Sequence, residues 1–314
     1  MTATTPDVGA GEADSAARRE VLRSVEESLN VVLNGDAVSI EETRARFEEL
    51  MLRDVDPSRL TTSSVTAGSV PALLVHAAPD DRRPAVIVWF HGGGYILGNP
   101  RSYLPFAGAL AEATGIDVLV PDYRLAPEHP FPAAFDDARS AVEWAVDRYG
   151  PGSSIVGGDS AGGGLALATT IAHRAGGGDS PLALILVSPL LDVGKTSSVC
   201  VSPVPDDRLI TPLSLAIMRR AYLGSTDPRD SRVSPMYGNL GGLPPTLAMA
   251  SSGEALLGDT VRFHEEATAQ GSPVQVSLHD DTCHAWNLFP DTMAQAKEAV
   301  SEIAGFLRAT VESD

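Results

Sequence analysis

The sequence predicts an α/β fold in which a mostly parallel central sheet is flanked by helices. Apolar, β-branched runs of strand length alternate with segments of helical length through most of the chain, which is typical of this class. Several of the runs are continuously apolar, as expected for strands that are covered on both faces. With 314 residues, 43% hydrophobic and 20% charged, the chain has room and composition for one large α/β domain or about two smaller domains.

Six runs are predicted to be strands, at residues 85–90, 117–120, 153–156, 182–187, 246–250 and 274–278. The last run alternates apolar residues with Gln275 and Ser277, which places it near an edge of the sheet. Five segments have helical length, at residues 101–114, 132–149, 161–175, 259–270 and 291–309. In the last helix an apolar side chain recurs at helical spacing from Met293 to Leu307, so one face of that helix is expected to be buried.

Two segments interrupt the alternation. Residues before about position 56 predict a disordered leader followed by one or two helices. Residues 191–232 are polar and rich in proline, with one predicted helix at 212–223. Insertions of this length between two strands of a compact sheet often cover a functional site, so we expect a lid or cap here.

Charge and composition exclude several classes of partner. The 23 basic and 41 acidic residues give a formal net charge of −18, which disfavours nucleic acid and anionic membrane surfaces. Cys200 and Cys283 are too few and too far apart for a disulfide framework or a metal cluster. Because the sequence shows neither a secretory signal nor a membrane-spanning run, we expect a cytoplasmic protein.

A serine flanked by glycines lies between a predicted strand and a predicted helix. Residues 158–162 read GDSAG and fit the G-x-S-x-G elbow, in which strand and helix approach so closely that small neighbours are required. The alternative is a glycine-rich turn that packs tightly or cradles a phosphate. No G-x-G-x-x-G opens the helix, and the Gly194-Lys195-Thr196 triplet lacks the P-loop glycine because position 189 is proline. Ser160 is therefore the predicted nucleophile.

The segment His91-Gly92-Gly93-Gly94-Tyr95 follows the predicted strand at 85–90 directly. Consecutive glycines let backbone N–H groups converge on one point, as an oxyanion hole requires. The alternative is a flexible glycine turn beside a buried histidine. Because this segment and the serine motif occur in the expected order, we predict that the N–H groups of Gly92, Gly93 and Ala161 form the oxyanion hole.

A serine nucleophile needs a base, and the base needs a third group that orients it. In this arrangement the acid and then the histidine follow the serine, each on a loop after a strand. Glu254 follows the strand at 246–250, and His284 follows the strand at 274–278. His279 is a rival base, but it continues the alternation of the strand. Asp259 and Asp281 are rival acids, although a helix cap is the simpler interpretation of Asp259.

The remaining reactive side chains do not form a site in the sequence. His76, His129, His173 and His264 are expected to have surface or packing roles. The sequence His264-Glu265 begins a zinc motif that position 268, a threonine, leaves incomplete, so no metal or cofactor is expected. Cys283 is interpreted as a small buried thiol.

These motifs resemble the bacterial esterase branch of the hormone-sensitive lipase family of α/β-hydrolases. The resemblance extends from about residue 40 onward, and its most diagnostic stretch is DYRLAPEHPFPAA at 122–134, with HGGGY at 91–95, GDSAGG at 158–163 and GLPPT at 242–246. It implies an α/β-hydrolase core at 56–190 and 233–314 and a helical cap made of residues 1–55 and 191–232. It also implies a Ser160-His284-Glu254 triad with oxyanion donors at Gly92, Gly93 and Ala161.

The sequence departs from the family pattern at two places. The family acid is most often aspartate, so Asp259 stays a lesser candidate beside Glu254. Residues 280–286 read DDTCHAW where the family usually has a PGMxH-like loop. The resemblance implies a cofactor-free serine carboxylesterase for small to medium acyl esters and leaves a homodimer open. A lactonase, deacetylase or acyl-transfer enzyme with the same triad is the alternative, and a non-catalytic ligand receptor is disfavoured because His284 is retained.

Overall fold

One eight-stranded sheet forms the centre of the molecule. The computed structural model describes residues 8–36, 39–52, 60–78, 82–194 and 207–311. The strands are β1 (Thr62–Ala67), β2 (Val70–Val75), β3 (Val86–Phe90), β4 (Asp117–Pro121), β5 (Ser154–Asp159), β6 (Ala183–Val187), β7 (Thr246–Ser251) and β8 (Val274–His279). They lie in the order β1-β2-β4-β3-β5-β6-β7-β8. Strand β5 is therefore central, and β8 lies at an edge as the sequence predicted.

Six of the strands, β3 to β8, are joined to one another by parallel pairing. Strand β3 pairs in parallel with both β4 and β5, and the parallel ladder continues through β6 and β7 to β8. Only β2 runs against its two neighbours, β1 and β4. The carboxyl ends of the parallel strands thus meet at one edge of the sheet, which is where α/β proteins place their ligands. The predicted α/β fold with a mostly parallel sheet is confirmed.

The helices are α1 (Val8–Asn34), α2 (Ile40–Leu52), α3 (Leu104–Thr114), α4 (Ala133–Tyr149), α5 (Ala161–Ala175), α6 (Pro212–Leu223), α7 (Leu257–Ala269) and α8 (Ala294–Val311). Helices α4, α5 and α7 bury side chains in a cluster on one face of the sheet. Helices α3 and α8 pack in a second cluster on the opposite face, together with α1 and α2. Each predicted helix is present, with ends that differ by up to three residues.

Strand β3 shows why the strands are continuously apolar. Val86, Val88 and Phe90 belong to the first cluster, whereas Ile87 and Trp89 belong to the second. Successive side chains of a strand point to opposite faces, so a sheet with helices on both sides buries every residue of its inner strands. All five residues of β3 are fully buried.

The antiparallel hairpin β1–β2 is absent from the strands that the sequence predicted. Ala67 pairs with Val70, so the turn consists of Gly68 and Ser69, and Gly68 has φ +63°. Strand β1 is largely polar and β2 contains Pro71, which weakens the usual strand signal. The two-residue Gly-Ser turn was the signal available in the sequence.

The two segments predicted to interrupt the fold are only partly described. Helices α1 and α2 confirm the helices expected before residue 56, and α6 matches the predicted helix at 212–223. Residues 1–7, residues 53–59 and residues 195–206 of the predicted insertion at 191–232 lie outside the described residues. The division into core and cap therefore stays a prediction.

Candidate active site

Ser160 occupies a strained turn between β5 and α5. Its φ and ψ angles are 52° and −120°, in a region that residues with a side chain rarely adopt. Its N–H donates to the carbonyl of Val187 at 2.9 Å, and its carbonyl accepts from the N–H of Leu190 at 2.9 Å. These bonds to the end of β6 hold the backbone in place, so the hydroxyl is presented at the carboxyl end of the sheet.

The close approach of strand and helix explains the glycines around Ser160. A Cβ atom on Gly158 would lie 2.4 Å from the carbonyl carbon and oxygen of Gly162. A Cβ atom on Gly162 would lie 1.9 Å from the carbonyl oxygen of Phe90. Both contacts are with backbone atoms that cannot move aside, so the turn requires glycine at these two positions.

His284 and Glu254 reach Ser160 from loops after β8 and β7. The Nε2 atom of His284 lies 3.0 Å from Oγ of Ser160, a residue 124 positions away in the chain. Its Nδ1 atom lies 2.7 Å from Oε2 of Glu254. Exposure falls from 8% for Ser160 to 5% for His284 and 0% for Glu254. The three side chains predicted from the sequence therefore meet in one buried hydrogen-bonded line.

The electrostatics of His284 follow from these contacts. Burial by itself lowers the pKa of the imidazole, but the hydrogen bond and negative charge of Glu254 act in the opposite direction. The charges of Asp207 and Asp159 add to the effect of Glu254, and the pKa of His284 is raised above its ordinary value of 6.5. The protonated form of His284 is thus stabilised.

The rival residues have other partners. His279 pairs with Glu302 at 3.2 Å and lies against the Trp286 ring. Oδ2 of Asp259 accepts the N–H groups of Leu191 and Asp192 at 2.8 and 3.1 Å. Asp259 lies in the first turn of α7 and binds the loop after β6. The N-cap position of α7 is Leu256, so the prediction that Asp259 caps the helix is wrong.

Asp281 is likewise outside the line of the three side chains. It adopts φ +51°, and its carbonyl accepts a 3.0 Å hydrogen bond from Nε2 of Gln295. Neither the rival acids nor the rival base is among the partners that the structure gives to Ser160 or His284.

The glycine segment after β3 differs from the expectation at one residue. The N–H of Gly92 donates a 2.6 Å hydrogen bond to the hydroxyl of Tyr103, so it is not available for an oxyanion. Gly93 and Gly94 have φ angles of +107° and +62°, and both line the cavity beside Ser160. The prediction of Gly92 as a donor is therefore corrected, and the geometry favours Gly94 in its place.

Asp159, which precedes Ser160, is connected to Gly92 through the hydroxyl of Tyr103. Its Oδ1 accepts from Nε1 of Trp89 at 3.0 Å and its Oδ2 from the hydroxyl of Tyr103 at 2.7 Å. Burial raises the pKa of this carboxyl to about 6, although the hydrogen bonds from Tyr103 and Trp89 and the charge of His284 oppose that effect. Sequence reasoning missed Asp159 and Tyr103 as functional residues, although Asp159 lies inside the GDSAG motif.

His91 is a neutral packing residue under the glycine segment. Its ring stacks on Tyr123 with ring centroids 4.1 Å apart, and its Nδ1 lies 2.8 Å from the carbonyl of Gly92. Complete burial lowers the pKa of His91 to about 4, despite the bond to the carbonyl of Gly92. The low pKa therefore favours the uncharged form of this residue at neutral pH.

An apolar cavity of about 150 Å³ opens beside Ser160. Its walls are mainly aliphatic and come from α1, α2, α6 and the loops at the carboxyl end of the sheet, and they include Leu29, Phe47, Ile96, Leu209, Ile217 and Leu288. Among the described residues no group of three or more His, Cys, Asp or Glu side chains could hold a metal ion. Within the same part of the chain no helix has the length and apolarity to cross a bilayer.

The other histidines and Cys283 lie outside the triad. His76 bonds to Asp117 at 3.0 Å and to Ser63 at 2.8 Å, and His173 bonds to the carbonyl of Asp179 at 3.1 Å. The thiol of Cys283 is buried, as the sequence predicted, and burial raises its pKa.

Comparison with known proteins shows that this chain is similar to ester hydrolases. A family model described as an alpha/beta hydrolase fold matches residues 87–288. An acetyl-hydrolase from Streptomyces hygroscopicus is 35% identical over 245 residues, which cover 78% of this chain and 81% of that protein. An esterase from Acinetobacter venetianus is 36% identical over 225 residues, which cover 70% and 74% of the two chains. A solved esterase from the bacterial hormone-sensitive lipase family is similar with a TM-score of 0.88 at 31% identity, covering 93% of this chain and 98% of that one.

Proposed function

We propose that catalysis in this chain runs through Ser160, His284 and Glu254. The premise is that the chain belongs to the hormone-sensitive lipase family of α/β-hydrolases and hydrolyses ester bonds. The observation that carries the proposal is the line of contacts from Oγ of Ser160 to Nε2 of His284 at 3.0 Å and from Nδ1 to Glu254 at 2.7 Å. A serine hydroxyl, a base in reach and a buried carboxylate behind the base are what acyl transfer to serine requires.

In this mechanism Ser160 attacks the carbonyl carbon of the ester while Nε2 of His284 accepts the hydroxyl proton. Glu254 holds the imidazole with Nδ1–H directed at its carboxylate and stabilises the imidazolium. The imidazolium then donates its proton to the leaving alcohol, which departs and leaves an acyl group on Ser160. Water, deprotonated by the same histidine, attacks the acyl-serine and releases the acid.

Negative charge develops on the carbonyl oxygen of the ester during each attack. We propose that the N–H groups of Gly93, Gly94 and Ala161 receive it. Gly93 and Gly94 line the cavity, and Ala161 begins α5, where the first N–H groups have no partner within the helix. Among the described residues the N–H groups of Gly93 and Gly94 have no hydrogen-bond acceptor. Fixed donors of this kind stabilise the tetrahedral intermediate.

The cavity supports small to medium acyl groups as substrates. A cavity of about 150 Å³ lined mainly by aliphatic side chains has the size that holds a group as large as benzene. We propose that α1, α2 and residues 207–223 act as the cap, because side chains from all three line this cavity. Removal of acetyl groups is the second candidate, and it is favoured by the similarity to an acetyl-hydrolase.

The test compares the wild-type protein with Ser160→Ala on p-nitrophenyl acetate, butyrate and octanoate and on a small lactone. We expect turnover of the two short esters, and a loss of about 10³-fold or more in Ser160→Ala. Ser140→Ala is the matched control, because Ser140 does not line the cavity and its hydroxyl bonds to the N–H and hydroxyl of Ser69. Unchanged turnover in Ser160→Ala contradicts the mechanism, and lactone turnover above ester turnover favours a lactonase.

A further inference from the structure

A second carboxylate, on Asp207, connects the wall of the cavity with the loop that carries the triad acid. We propose that Asp207 is a positioning residue that holds Glu254 in register with His284 and couples the cavity wall at Leu209 and Ile210 to the triad. This inference rests on the proposed function, because it assumes that Glu254 orients His284. Asp207 forms no hydrogen bond with Ser160 or His284, so it positions the imidazole through the loop of Glu254 and reaches the imidazole itself only through its charge.

The two oxygen atoms of Asp207 bind different parts of the chain. Oδ2 accepts the N–H of Ala255 at 2.7 Å, across a separation of 48 residues. Oδ1 accepts the N–H groups of Leu209 at 2.8 Å and Ile210 at 3.0 Å. Ala255 directly follows Glu254, so one carboxylate joins the acid loop to the segment at 207–210.

Both ends of this connection are functional. Leu209 and Ile210 line the cavity beside Ser160. At the other end Glu254 uses Oε2 for His284 and accepts the N–H of Ser251 at 3.2 Å with Oε1. The N–H of Ala255, one residue after Glu254, is thus a further point at which the loop that carries Glu254 is held. A displacement of residues 207–210 by substrate would be transmitted through Asp207 to Glu254.

The segment is also held from the opposite side. Nδ2 of Asn34, at the end of α1, donates to the carbonyls of Arg208 and Leu209 at 3.1 and 3.4 Å. Glu26 on α1 also faces Asp207 and Arg208: burial raises the pKa of Glu26, the charge of Arg208 lowers it and the charge of Asp207 raises it. Asp207 is therefore placed firmly enough to act on the acid loop.

The negative charge of Asp207 predicts a change in the pH dependence of activity, which a purely structural role would not produce. Three carboxylates face His284: Glu254 after β7, Asp207 from the segment at 207–210 and Asp159 at the end of β5. Loss of the Asp207 charge leaves the imidazolium less stabilised, which lowers the pKa of His284. Because the free base is the active form, the acid limb of kcat/KM then moves to lower pH.

The experiment measures kcat, KM and the pH profile of kcat/KM for p-nitrophenyl acetate in full-length Asp207→Asn and Asp207→Glu. The asparagine amide keeps one acceptor oxygen but loses the other and the charge, so we expect kcat to fall about tenfold with KM within about twofold. The acid limb should move to lower pH in Asp207→Asn. In Asp207→Glu the limb should stay near its wild-type position because the charge is retained.

Asp227→Asn is the matched control, since Asp227 also accepts a backbone N–H, that of Arg229 at 2.9 Å, on an exposed turn. Rates are expressed per serine labelled by a fluorophosphonate, so a loss of folded protein does not mimic the effect. If Asp207→Asn does not fold, kcat of Asp207→Glu is the readout: it should fall because the longer side chain cannot keep its bonds to Ala255, Leu209 and Ile210 together, and an unchanged kcat overturns the inference. An unchanged kcat and an unmoved acid limb in Asp207→Asn overturn the inference. Activity in Ser160→Ala would instead overturn the proposed function, so the two failures are distinguishable.

Discussion

The hydroxyl of Tyr103 donates a 2.7 Å hydrogen bond to Oδ2 of Asp159, and both residues are buried. The same hydroxyl accepts the N–H of Gly92 at 2.6 Å. Asp159 precedes Ser160 in the chain, whereas Gly92 precedes the glycines that line the cavity. One short chain of hydrogen bonds therefore fixes the distance between the nucleophile and the proposed oxyanion donors.

Tyr103→Phe should remove the hydrogen-bonded connection between Asp159 and the glycine segment at Gly92. The substitution leaves the N–H of Gly92 without an acceptor and the carboxylate of Asp159 with one donor fewer, which costs about 1–3 kcal/mol of stability. We expect kcat/KM for short esters to fall by about 10- to 100-fold because the glycine segment loses its anchor. Steady-state kinetics and urea unfolding measure both effects. Tyr149→Phe, on the surface end of α4, should change neither, and a fully active Tyr103→Phe would refute the anchoring role.

Glu254→Gln and Asp259→Asn should distinguish the two candidate acids. A glutamine cannot stabilise the imidazolium, so we expect kcat to fall by about 10³- to 10⁴-fold. The acid limb of kcat/KM, which lies above pH 6.5 in the wild type because the pKa of His284 is raised, should also move to lower pH. Asp259→Asn should lose about 1–3 kcal/mol of stability, since it weakens the bonds to Leu191 and Asp192, with the limb unmoved. The reverse pattern would make Asp259 the acid.

Gly162→Ala should prevent the elbow from forming. The added methyl group would lie 1.9 Å from the carbonyl oxygen of Phe90, a backbone atom of a central strand. We expect a loss of at least about 3 kcal/mol in the free energy of unfolding, together with loss of esterase activity. Gly152→Ala is the control, because a Cβ atom there has no neighbour within 4 Å. Equal stability of the two variants would show that the close approach is absent.

Glu128→Gln should destabilise the protein in a pH-dependent way. The guanidinium of Arg44 on α2 binds both carboxylate oxygens of Glu128 at 2.7 and 2.9 Å and the carbonyl of Ile96 at 2.8 Å. The hydrogen bond to Arg44 is the main cause that lowers the pKa of Glu128 from 4.5 to about 2. A lowered carboxyl pKa stabilises the fold above pH 4.5, and that contribution is lost as the pH falls towards 2.

Because Glu128 is largely exposed, the difference between wild type and Glu128→Gln should be only about 0.5–1 kcal/mol at pH 7. Urea unfolding at a series of pH values should give a constant difference from pH 7 to 5 that closes below pH 4.5. Glu143→Gln removes an exposed helical pair with Arg139 and should cost less than about 0.5 kcal/mol. A difference that persists at the acid end of the series would exclude Glu128 as its source.

The sequence predicted the parts of the fold that depend on local pattern. Apolar runs identified β3 to β7, and an alternating run identified β8. The order of the motifs placed Ser160, Glu254 and His284 on loops that the structure brings together. The hairpin β1–β2 was missed because β1 is polar and β2 contains Pro71. The homodimer, the compartment and the division into core and cap stay predictions.

The errors in the site have a different origin. Gly92 was expected to donate to the oxyanion because the glycine run shows which N–H groups can converge, but not which are already bound. Its partner, Tyr103, is a helix-flanking residue with no distinguishing signal in the sequence. Asp207 is equally invisible, since its bond to Ala255 joins residues 48 positions apart. Contacts of this kind depend on tertiary packing, which local patterns do not encode.

The distance of 124 residues between Ser160 and His284 has a consequence for the newly made protein. At a synthesis rate of about 5–20 residues per second, the ribosome adds the histidine roughly 6 to 25 s after the serine. The strained turn at Ser160 also needs Val187 and Leu190, which lie further along the chain. In a nascent chain Ser160 therefore lacks its partner His284, and the proposed mechanism can operate only after the histidine has left the ribosome and the sheet has closed.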